Sequence, residues 1–219
     1  MSPRILFRSS GATLLVGSLF GLIWTVMEAL ILPITNADQF AGMPFLLASL
    51  AMLFGSMAIE AGLVGMYAHQ ATRAGWLGLA GFGLIFFGIL VAGVGFGLIS
   101  ATVIPWLTTH APNLIAGELP PVLEGFIVVA VLMVAVGAIL LGVATMRAGV
   151  LSRWAGLLLI ISGVTGLLNI APLSPMIRNV LAIICAVSFF LGLGWLGYAL
   201  WAEPSVEEVQ APVTTDGAI

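Results

Sequence analysis

Four polar side chains in an otherwise apolar stretch fall on one helical face: Ser49, Ser56, Glu60 and Tyr67, separated by seven, four and seven residues. Glu60 is the acid of that stripe. A charged carboxylate at the centre of a membrane helix costs about 2.5–3.5 kcal/mol on insertion scales, so it must face protein or water. Two chemistries follow for such an intramembrane polar site. It can take up and release a proton as the coupling group of a carrier, or it can hydrogen-bond a neighbouring helix as a structural carboxylic acid.

A second set of polar residues sits close to the ends of apolar runs. Glu28, Glu124, Asn169 and Arg178, with Asn179, are expected at similar depth near the outer face, where they would line a vestibule. Arg178 is expected to pair with Glu28 or Glu124 in a structural ion pair. Ser162, Thr165 and Asn169 share one face of their helix.

Neither set matches a known catalytic pattern. The chain has no HExxH helix, no GxSxG elbow, no phosphate-binding loop and no histidine box. His110, Glu118 and Glu124 are not spaced like a metal site, and His69 and His110 fall at opposite faces, too far apart for paired haem ligation. All six basic residues are Arg, which excludes a lysine Schiff base. Cys185 is the single cysteine, so no intramolecular disulfide exists. The sequence therefore nominates no catalytic, cofactor-binding or metal-binding residue and specifies no cofactor.

The elements that must hold these residues are set by hydropathy. With 61% hydrophobic and 7% charged residues, and a mean hydropathy of +1.23, the chain belongs in a bilayer. The absence of a basic cluster sets nucleic acid aside as a partner. Apolar runs occur at residues 11–32, 44–67, 75–104, 122–146, 154–170 and 177–201, and the first is long enough to cross roughly 30 Å of hydrocarbon as a helix. The reading is an all-α, polytopic membrane helix bundle with six transmembrane helices. Residues 1–10 form an N-terminal cytoplasmic segment, 11–202 the membrane domain and 203–219 a disordered acidic cytoplasmic tail. Pro105 is expected to end the third span, and a short interfacial helix to lie within residues 106–121.

Arg4, Arg8, Arg73, Arg147 and Arg153 fall on one side of this arrangement and Arg178 alone on the other, which puts both termini in the cytoplasm. Small residues sharing a helical face mark packing surfaces: Gly17 and Gly21, four apart; Gly81, Gly88, Ala92 and Gly95; Gly93 and Gly97, four apart; Cys185, Ser188 and Gly192. Arg-Ala-Gly followed by a Trp-containing apolar run occurs at Arg73 and again at Arg147, so the second and third spans partly repeat in the fourth and fifth. The shared demands of an inner membrane interface explain that repeat better than duplication does.

The turn MRAGVLSRWAGLLLIISGV, residues 146–164, resembles the fourth-to-fifth helix turn of uncharacterised bacterial multi-span inner-membrane proteins. The resemblance implies a bacterial inner-membrane location and carries over no catalytic residues. The expected function is a non-catalytic accessory or interaction subunit, with a small-solute or proton-coupled carrier using Glu60 as the alternative. Expected partners are the lipid bilayer and another membrane protein or a second copy of this chain.

Overall fold

The computed structural model describes residues 3–31, 37–115 and 120–202. The described residues are mainly helical, without strands: α1 (Pro3–Ile31), a 3-10 turn (Ala37–Ala41), α2 (Met43–Ile89), a π turn (Leu90–Gly95), α3 (Phe96–His110), α4 (Pro112–Ile115), α5 (Pro121–Ala148), α6 (Arg153–Leu168) and α7 (Pro175–Ala202). Glu118 and the expected tail from residue 203 lie outside the described residues.

Four helical stretches are long and apolar enough to cross a membrane: Ile5–Ala29, Met43–His110, Pro121–Ala148 and Pro175–Ala202. Helix α6 is apolar but has only 16 residues. The 68 residues of Met43–His110 do not form a rod, which would be about 100 Å long. Gly75, at φ 59° and ψ −159°, breaks the helix. Beyond it the chain doubles back, so that the Tyr67 and Phe82 rings stack 4.8 Å apart. Ser56 meets Gly93, and Leu53 meets Gly97. These three contacts define one antiparallel register between residues 43–74 and residues 76–110.

Local chemistry sets the helix ends. Pro44 and Pro121 stand in the first turns of α2 and α5, and Pro175 begins α7, positions where a missing N–H costs nothing. The two Arg-Ala-Gly sequences each end a helical segment on a positive-φ glycine, Gly75 at φ 59° and ψ −159° and Gly149, left-handed, at φ 61° and ψ 17°. Gly149 N–H also donates to Thr145 O, satisfying a terminal carbonyl. The partial repeat thus places a positive-φ glycine at both stops, in two different backbone conformations. Pro105 does not end its helix, contrary to expectation. It sits inside α3, which continues to His110, because the ring removes only one ladder bond near a helix end. The expected short helix after Trp106 is α4.

Contacts between helices are made where side chains are smallest. A methyl group at Gly17 would come within 2.7 Å of Gly55 O, at Gly11 within 2.6 Å of Gly197 O, and at Gly142 within 2.5 Å of Gly156 O. These glycine pairs let the backbones of α1 and α2, α1 and α7, and α5 and α6 touch, which is how helices associate where lipid removes the hydrophobic drive. Gly81 packs against Leu141, Gly88 against Val134, and Gly192 against Leu159. Helix α1, both arms of α2, α5, α6 and α7 each lie antiparallel to the next, and α7 closes against α1.

The axis of this ring is solid. Leu14, Ile59, Leu63, Met66, Ile85, Leu141, Leu159, Leu193, Leu196 and Leu200 are all less than 2% exposed. The outer surface is apolar as well, with Phe54, Met57, Phe87 and Phe126 exposed. Arg73, Arg147 and Arg153 sit at the elbow end of the ring. Arg8 joins them there, its guanidinium 5.9 Å from the Trp201 ring centroid.

Candidate functional site

Glu60 lies halfway along the first arm of α2. On a helix of 3.6 residues per turn it is about 100° round from Ile59, which points to the ring axis. Phe54, Met57 and Val64, on its other side, are exposed. Glu60 therefore occupies the flank of the hairpin, half-buried between the two arms and open towards the outer surface. Its Oε1 is buried and has no hydrogen-bond partner among the described residues.

The expected polar stripe is present on the same face. Ser56 meets Gly93 across the hairpin, and Tyr67 stacks on Phe82. Ser49 is buried and donates to Phe45 O at 2.8 Å. In the register set by these contacts, Glu60 lies level with Ile89 and Leu90. There the partner arm widens into the π turn Leu90–Gly95, a local irregularity that recurs at functional sites.

The outer set is only partly brought together. Glu28 lines two cavities at the end of the ring opposite the arginine-bearing elbows. One, of about 370 Å³, lies between α1 and α7 and includes Thr25 and Asn179. The other, of about 130 Å³, lies between α1, α2 and α3 and includes Trp24, Phe45 and Ser100. Glu124 is exposed at the start of α5 and lines neither cavity. Asn169 ends α6 with its Oδ1 buried and unpartnered. Arg178 directs Nη2 to Leu173 O at 3.4 Å, so its guanidinium serves the turn before α7 instead of a carboxylate.

Two fully buried polar residues escaped the sequence reading. Gln70 donates to Met66 Sδ at 3.3 Å and leaves Oε1 unpartnered, and Thr145 Oγ1 is unpartnered too. Nothing in the spacing of either distinguishes it from an interfacial residue. Trp24 and Glu28, by contrast, stand at i and i+4 on α1, a spacing that places an aromatic ring beside an acid.

The histidines are far apart. His69, near the Gly75 elbow, packs edge-on against Phe7 at 4.9 Å, and His110 stacks on Trp106 at 4.7 Å at the other end. Among the described residues no three His, Cys, Asp or Glu side chains gather as a metal-binding group.

This architecture fits a membrane protein built as a helix bundle. Against known proteins, the chain matches no family model, no curated sequence and no solved structure.

Proposed function

We propose that this protein is a non-catalytic accessory subunit of the bacterial inner membrane, and that it docks another membrane protein along the flank of the α2 hairpin at Glu60. In this reading the chain crosses the bilayer six times, with both termini in the cytoplasm. The doubling back at Gly75 supports two crossings within Met43–His110. The arginines gathered at one end, with Trp76 and Trp154 exposed beside Arg73 and Arg153, support that end as the cytoplasmic interface.

One observation carries the subunit reading. The ring axis is filled by large apolar side chains, while the mid-membrane acid lies off the axis with an unpartnered oxygen. A solute path through the bundle has no room, whereas a helix on the flank can reach the exposed side of the half-buried Glu60 carboxyl. The partner is a transmembrane helix presenting a hydrogen-bond donor at that depth.

Photo-crosslinkers at Met57 and Val64 test this in native membranes. They are expected to capture one membrane protein that crosslinkers at Phe126 and Val129 do not. Equal yields from both faces would reject the docking flank.

The carrier reading remains as the alternative because the same acid faces a π turn. It predicts pH-dependent solute flux in proteoliposomes that Glu60→Gln abolishes. Flux indifferent to that substitution removes Glu60 from any coupling role.

A further inference from the structure

The smaller cavity beside Glu28 has the composition of a receptor for a cation. Its walls come from three helices: Trp24 and Glu28 from α1, Phe45 and Ser49 from α2, and Phe96 and Ser100 from α3. Glu28 makes no hydrogen bond or ion pair with another described residue. Arg178, the arginine expected to pair with it, instead directs Nη2 to Leu173 O at 3.4 Å. The acid, exposed at the mouth of both cavities, therefore has no counter-charge among the described residues.

Ser100 adds an independent sign of a ligand. It is only 4% exposed, lines the cavity and makes no hydrogen bond within the described protein. Thr25, Ser49, Thr102, Thr108 and Ser188 return their hydroxyls to a carbonyl one turn back, whereas Ser18 and Thr145, like Ser100, do not; of these three only Ser100 lines either cavity. Aromatic rings attract cations through their quadrupoles, most strongly where water is scarce. A volume of about 130 Å³ corresponds to roughly four water volumes, which limits an occupant to a few heavy atoms.

We propose that this chamber binds a small primary ammonium ion. Its N–H groups donate to the Glu28 carboxylate and the Ser100 hydroxyl, and its carbon atoms lie against Trp24, Phe45 and Phe96. The larger cavity on the other side of Glu28, reaching Asn179, gives room for a short polar extension of the ligand.

Calorimetric titration of the full chain in nanodiscs tests this with ethylammonium, tetramethylammonium and sodium chlorides at equal ionic strength. Ethylammonium is expected to bind, with tetramethylammonium weaker by at least about tenfold because it has no N–H to donate. Glu28→Gln is expected to weaken ethylammonium by at least about tenfold, and Ser100→Ala by roughly threefold to tenfold. Circular dichroism and an unchanged melting temperature establish that each variant is folded. Absence of ethylammonium binding, or equal binding by native protein and folded Glu28→Gln, overturns the proposal. Equal affinity for ethylammonium and tetramethylammonium overturns the assigned N–H contacts.

Discussion

At the scale of residues, two acids within one apolar chain have different surroundings. Glu60 stands on the flank of a hairpin with one oxygen buried and unpartnered. Glu28 borders two cavities near the end of the ring. An unpaired polar group in hydrocarbon is costly and finds relief through a donor. Replacing Glu60 by Leu is therefore expected to leave the isolated protein as stable as native, or more so by about 1 kcal/mol, while releasing the partner. Denaturation in mild detergent and co-purification measure the two effects separately. A loss of stability without a loss of partner would return Glu60 to a purely internal role. Glu60→Gln keeps hydrogen-bonding capacity and is expected to retain the partner.

At the scale of elements, the hairpin depends on glycine. Gly75 adopts a backbone conformation that side chains with a Cβ rarely reach, so Gly75→Ala is expected to cost about 1–3 kcal/mol. Gly149→Ala, in the milder left-handed region, is expected to cost about 1–2 kcal/mol. Thermal unfolding in micelles checks both, and an indifferent Gly75→Ala would contradict the elbow. Close packing makes a second demand. Gly142→Leu drives a side chain into the Gly156 backbone and is expected to cost about 1–3 kcal/mol or more, whereas Gly83→Leu, in open space, is expected to be neutral.

Much of this element scale was legible in the sequence, because proline starts, Arg-Ala-Gly stops and small-residue faces are local signals. The stripe of Ser56, Glu60 and Tyr67 followed from helical period alone. The cavities did not, since Trp24, Phe45 and Ser100 converge only when three helices pack. Pro105 misled because a proline near a helix end need not terminate it. Arg178 was matched to a carboxylate on depth alone, while its reach to Leu173 O depends on the fold of a turn.

At the scale of the whole molecule, the described helices close into a ring whose axis is packed and whose outer surface is apolar. That combination suits a body surrounded by lipid and argues for lateral contact over passage through the centre. The orientation proposed here predicts that reporters fused to either terminus are active only in the cytoplasm, with the loop before Met43 accessible to impermeant reagents from outside. A reporter at the C-terminus on the outer side would contradict an even number of crossings.

The most direct test of the subunit reading is the native mass of the protein after gentle extraction from its own membrane. The account predicts a defined heteromeric complex that Glu60→Leu dissociates and Glu60→Gln preserves. A native protein recovered only as a monomer, or as an oligomer of itself, would contradict it.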